Sequence, residues 1–139
     1  MDDFLRAEYN ELIGMYMDEA DLYERAYEIM GRLLDPNIGQ KILNRFKTQN
    51  IYIYGGGYIG IQLYKTLKNQ LDITVVDKSG NLKYPIDGVK IVNVDLMRKD
   101  YVNEKVIITP INYLDEIYEE LIKFVPLDNI IIIGELIDL

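Results

Sequence analysis

Apolar and polar positions change their rhythm near residue 50. Up to there the spacing is helical: Leu5, Tyr9, Leu12, Tyr16, Glu19, Tyr23, Ala26, Met30 and Leu33 follow alternating steps of four and three, a seam with one acidic interruption. Ile13, Met17, Ala20, Tyr27 and Leu34 form a second stripe on a neighbouring face, with Gly14 as a point of interruption. A helix apolar on two sides needs two partners, here the rest of the chain and a second subunit, although ordinary intrachain packing accounts for the pattern as well. The helix is expected to stop at "LLDPN", because Pro36 disfavours helical geometry at Asp35. A shorter helix carrying Ile38, Ile42, Leu43 and Phe46 follows.

Beyond residue 50, short Val- and Ile-rich runs alternate with helical periods. "IYIY" (51–54), "ITVVD" (73–77), "VKIVNV" (89–94), "VIIT" (106–109) and "NIIIIG" (129–134) read as five strands. Helix 58–70 places Ile59, Leu63, Leu67 and Leu71 inward and leaves Gln62, Lys65 and Lys68 outside; helix 113–125 does the same with Leu114, Ile117, Leu121 and Val125. The connection "KSGNLKYPIDG" is too polar and turn-rich for a full helix. Strands that are nearly all Val and Ile are covered on both faces, so the sheet is expected to be parallel. Right-handed strand–helix–strand crossovers then give an α/β, doubly wound sheet of order 3-2-1-4-5, preceded by the helical segment. The expected division is residues 1–48 as a helical arm and 49–139 as the α/β domain.

The bulk numbers bound the chemistry. With 139 residues, 49% apolar and 27% charged, the chain has room for one domain with a core. Its 23 acids against 15 bases give a net charge of −8, and Lys and Arg are scattered singly, so nucleic acid is not an expected partner. No cysteine and no histidine are present, which removes disulfides, thiolate nucleophiles, the commonest zinc ligand and the usual general base at neutral pH. Ser79 is the single serine. The acidic start "MDDFLRAEYN" has no apolar segment of the signal-peptide kind, and the longest apolar run, "IIIIG", is too short to cross a bilayer. A cytoplasmic protein without membrane insertion is the expectation.

One stretch carries candidate chemistry. Gly55-Gly56-Gly57-Tyr58-Ile59-Gly60 matches G-x-G-x-x-G, and it leaves a strand to open a helix. Gly55 permits a sharp turn off the strand, Gly57 lets a pyrophosphate approach the backbone, and Gly60 lets the helix lie close to the sheet. The amides of Gly57, Tyr58 and Ile59 at the helix start would face the anion. Asp77 ends the second strand at the place where a carboxylate meets an adenosine ribose, which favours NAD over NADP; Lys78 beside it blurs that choice. Asp77 also suits the simple role of starting the "DKSG" turn. Thr109 at the end of strand four is placed to touch a ribose or a sugar, and Asn112, with Asp115 three residues on, is expected to cap the next helix.

"IYIYGGGYIGIQLYKTLKN", "ITVVD", "VKIVNVDLM", "KVIITPIN" and "DNIIIIGELIDL" together resemble the Rossmann-like nucleotide-binding domains of bacterial cell-surface polysaccharide enzymes. Such domains occur in nucleotide-sugar dehydratases and sugar acetyltransferases and are appended to some glycosyltransferases and methyltransferases. The resemblance covers residues 51–139. It implies binding of NAD, a UDP-sugar or CoA through Gly55, Gly57, Gly60 and Asp77, with chemistry in an attached domain. Gly56 departs from the pattern, where Ala is commoner, and is expected to loosen the loop.

Other signals are weaker. Tyr64-x-x-x-Lys68 and Tyr101-x-x-x-Lys105 mimic the Tyr/Lys pair of short-chain dehydrogenases but fall on the wrong elements, and "DEIYEE" (115–120) reads as a solvated helix face rather than a metal site. Three functions follow from the sequence: a nucleotide-binding module serving a surface-polysaccharide protein, with no complete catalytic site of its own; a small NAD-dependent oxidoreductase or sugar-nucleotide dehydratase fragment; or a ligand-free dimerisation domain. The first is preferred, with residues 1–48 joining it to a second copy or to a catalytic domain.

Overall fold

The computed structural model describes residues 19–47, 50–82 and 86–137. The expected seam over Leu5–Tyr16 and the stripe residues Ile13 and Met17 lie outside the described residues. Six helices and five strands are described: α1 (Glu19–Leu33), α2 (Ile38–Leu43), β1 (Asn50–Tyr54), α3 (Tyr58–Leu67), β2 (Asp72–Val76), β3 (Lys90–Val92), α4 (Val94–Asp100), β4 (Lys105–Ile108), α5 (Leu114–Leu121), β5 (Ile130–Ile132) and α6 (Ile133–Leu136), with a 3-10 turn at Leu127–Asn129.

All strand pairs are parallel and the order is β3-β2-β1-β4-β5, a Rossmann-like α/β sheet as the Val/Ile runs require. Alternation along each strand divides the interior into two cores. Ile51, Ile53, Ile73, Val75 and Ile107 point to one face, under α1, α2, α3 and α6. Tyr52, Tyr54, Val76, Val106 and Ile108 point to the other, where Met97 of α4 and Ile117 and Leu121 of α5 close over them. Leu71 and Val125 are buried just beyond the ends of their helices.

The helical arm is not a separate packing unit over its described length. Ile29, Leu33, Ile38 and Ile42 belong to the same core as β1 and α3. The buried face of α1 includes Leu33 of the expected seam but is centred differently. Ile29, in neither expected stripe, is fully buried, whereas Tyr23, Tyr27 and Leu34 are 67%, 82% and 65% exposed. Tyrosine explains the difference: its hydroxyl tolerates water, so an aromatic stripe does not by itself mark the buried face.

Two elements depart from the sequence expectation. The third strand was expected over 89–94 but ends at Val92, because the Asn93 side chain accepts the Leu96 amide at 2.9 Å and caps a further helix, α4. The last run was expected as one strand over 129–134. Instead β5 holds only Ile130–Ile132, and Ile133 starts the short α6. The polar connection between β2 and β3 has no helix among its described residues. No helix among the described residues is long and apolar enough to cross a membrane.

Candidate functional site

The site is built where β1 ends. The Gly55 amide still donates to Val76 O at 2.7 Å, continuing the ladder, and then the chain turns with φ +118° at Gly55. A side chain there would be strained and would collide with the Thr109 hydroxyl and the Pro110 ring. Gly60, one turn into α3, lies against the Gly55 carbonyl oxygen so closely that a methyl group would overlap it. Gly56, expected to loosen the loop, is one of its packed members: a Cβ would stand 3.0 Å from Asp77 Oδ2 and 3.2 Å from Asn81 O.

Gly57 differs from the other three. Its φ of −86° suits any residue, and nothing lies within 4 Å of where its Cβ would be. It occupies the N-cap of α3 without a side-chain cap. The first i→i−4 bond of the helix runs from Ile61 to Gly57 O at 2.9 Å, so the amides of Ile59 and Gly60 precede it at the positive end of the helix. Tyr58 is 54% exposed beside this opening, and Ile59 is half-buried against the core.

Asp77 reaches the loop from the end of β2. Its Oδ2 accepts the Gly56 amide at 2.9 Å, while Oδ1 accepts the Ser79 amide at 3.0 Å and the Ser79 hydroxyl at 2.7 Å. The turn role and the loop role therefore coexist. An ionised carboxylate offers about four lone-pair sites, so three bonds leave roughly one for a ligand.

Thr109 is not at the surface of the site. It is 2% exposed, and both its amide (3.0 Å) and its hydroxyl (2.8 Å) donate to Tyr54 O. Packed between Gly55 and Gly60, it braces the loop. Asn112 does not cap α5 either. The chain bends through residues 111–113, and Tyr113 takes the N-cap position in the left-handed region (φ 58°, ψ 27°) without a side-chain cap bond.

A cleft of about 440 Å³ opens at the carboxyl ends of β1, β2 and β4 and the first turn of α5. Gly55, Asp77 and Lys78 line it from the expected set; Tyr54, Pro110, Asn112, Tyr113, Glu116 and Ile117 complete it. This is the switch point of the sheet, since the chain leaves β1 towards β2 on one side and β4 lies on the other. Tyr54 was missed from sequence. Its side chain is buried and its hydroxyl has no hydrogen-bond partner among the described residues. Burial first, then the charges of Glu120 and Asp77, push its pKa up to about 12, so it keeps its proton at neutral pH. The signal available was its position, the last strand residue before the glycine loop.

The weaker sequence signals resolve by position. Tyr101 and Lys105 lie at the amino end of β4, where Tyr101 donates to Glu104 O at 2.6 Å and Lys105 Nζ donates to Asn129 Oδ1 at 3.0 Å. Both are therefore far from the cleft in the sheet and tied to Asn129 or its neighbours. Among the described residues no group of three acids is placed to hold a metal ion.

Comparison with known proteins identifies no relative: no protein family, no curated protein and no solved structure matches the chain.

Proposed function

We propose that the chain is a nucleotide-binding module, with the ligand's phosphates over the first turn of α3 and one ribose hydroxyl on Asp77. The observation that carries this reading is the contrast among the four loop glycines. Gly55 and Gly60 are required by the fold, through backbone conformation or backbone contact, and Gly56 is tightly packed against Asp77 and Asn81. Gly57 is required by neither, and its missing side chain leaves room for a ligand to reach the amides at the helix start. The ligand classes are those that the resemblance of residues 51–139 implies: NAD, a UDP-sugar or CoA. The link to a surface-polysaccharide protein rests on the resemblance of residues 51–139, and the chemistry is assigned to an attached or partner domain, since the chain has neither histidine nor cysteine.

A thermal-shift panel of NAD, NADP, CoA, UDP-sugars, AMP and S-adenosylmethionine tests the reading. A ligand at 100 times its dissociation constant adds about 2.7 kcal/mol of stability. Silence across the whole panel sinks it in favour of a second reading, a ligand-free loop. The bonds that tie Asp77 to Gly56 and Ser79 favour that second reading.

A further inference from the structure

The helices that start at the switch point, α3 and α5, differ in charge. α3 has no acid in its first turn, whereas the first turn of α5 carries Asp115 and Glu116. Glu116 lines the cleft together with Asp77, so two carboxylates stand there against one lysine, Lys78. A phosphate is therefore favoured at the start of α3 and repelled inside the cleft. The cleft walls suit a flat, uncharged group instead, because Tyr54, Pro110, Tyr113 and Ile117 supply ring and apolar surface. Tyr113 is 68% exposed and, among the described residues, is the one non-glycine with a positive φ, at 58°. Holding a bulky side chain in that conformation costs stability, yet its ring belongs to neither core. On the same wall, the buried Tyr54 hydroxyl is a donor without a hydrogen-bond partner among the described residues.

We propose that Tyr113 and Glu116 select the ligand: Tyr113 stacks on its ring, and Glu116 rejects ligands whose ribose carries a phosphate beyond the 5′ one. This rests on the nucleotide-binding function proposed for the chain and narrows its ligand classes. NAD and a UDP-sugar have bare ribose hydroxyls. CoA carries a 3′-phosphate, and NADP a 2′-phosphate, each of which would enter the field of Asp77 and Glu116. Tyrosine suits the stacking role, since its ring offers a face to any base while its hydroxyl tolerates water when the cleft is empty. Glu116 lies on a different element from the glycine loop, so its charge can be removed without touching the bonds that Asp77 makes to Gly56 and Ser79.

Thermal shift and tyrosine fluorescence of the full chain with NAD, NADP, CoA, UDP-glucose and pyrophosphate test it. The chain has no tryptophan, so a stacked ring is read as quenching of tyrosine emission. NAD or UDP-glucose should bind about tenfold tighter than NADP and CoA. Glu116→Gln should narrow that gap about threefold or more, and Glu119→Gln, outside the cleft, should leave it unchanged. Tyr113→Gly should weaken nucleotide binding about tenfold or more without destabilising the free protein, because glycine accepts a φ of 58°. Tyr113→Phe, which keeps a ring, should restore binding but lose most of the quenching. Pyrophosphate should shift wild type and Tyr113→Gly alike. The proposal is overturned by CoA or NADP binding as tightly as the better of the other two, by a gap that Glu116→Gln leaves in place, or by Tyr113→Gly binding like wild type. Pyrophosphate binding with no nucleotide binding overturns it too, while leaving the phosphate position at α3 intact; silence of every probe ends both.

Discussion

The amide of Gly56 donates to the carboxylate of Asp77 at 2.9 Å, tying the glycine loop after β1 to the end of β2. The same carboxylate holds Ser79, so one side chain fixes two turns at the mouth of the cleft. Hydrogen bonds to a charged acceptor contribute about 1.5–3 kcal/mol each when buried and less where water competes, as at half-exposed Asp77. Asp77→Ala should therefore destabilise the fold by about 1–3 kcal/mol in urea unfolding without any ligand present. Unchanged stability would mean that Asp77 is not structural.

The glycine loop separates fold from ligand binding in a pair of variants. Gly60→Ala forces a methyl group onto the Gly55 carbonyl and should cost at least about 2 kcal/mol, because backbone rather than a flexible side chain is in the way. Gly57→Ser puts a good N-cap residue where φ is −86° and space is open, so stability should stay within about 0.5 kcal/mol of wild type or rise. Its side chain would stand where a phosphate is proposed, and any thermal shift by a nucleotide should disappear. Retention of that shift in Gly57→Ser would remove the phosphate from this position.

The architecture was legible because the strands bury both faces. Runs such as "IYIY" and "VIIT" need no knowledge of their neighbours to be read, and crossover handedness then leaves few orders. Boundaries were less legible. Asn93 lies inside an apparent strand alternation, and only its side-chain bond to Leu96 turns the chain into α4, although Asp95 early and Arg98 and Lys99 late were helix signals in plain view. At the site, the motif gave the glycines their turn and close-approach roles. It could not give Thr109 its bond to Tyr54 O, since a hydroxyl at a strand end serves ligand or backbone equally.

Packing of α1 onto the sheet core carries its own test. Ile29 is fully buried among core residues, so Ile29→Ala should cost about 2–5 kcal/mol, whereas Glu28→Ala on the exposed side should stay within about 0.5 kcal/mol. Chemical denaturation of both variants checks this. A small effect at Ile29 would show that α1 is not held by the core. By the same packing, removing residues 1–48 should yield an unfolded or aggregated chain, because Ile29, Leu33, Ile38 and Ile42 leave the core together.

Tyr54 gives the last prediction. A buried hydroxyl without a partner costs about 1–3 kcal/mol relative to an apolar group of the same shape, so Tyr54→Phe should stabilise the protein by about 1 kcal/mol at neutral pH. The pH dependence has a definite sign. The folded-state pKa of about 12 lies above the ordinary 10.0, so in that interval the folded chain holds a proton that the unfolded chain has released. The stability linked to Tyr54 is complete below pH 10 and is lost as pH rises towards 12. Tyr52 and Tyr101, both raised chiefly by burial, act in the same direction, so Tyr54→Phe should reduce the alkaline loss without abolishing it. Urea unfolding of wild type and variant on both sides of pH 10 measures both effects. A Tyr54→Phe protein less stable than wild type at neutral pH would show that the hydroxyl is satisfied, by a buried water at the floor of the cleft, rather than orphaned.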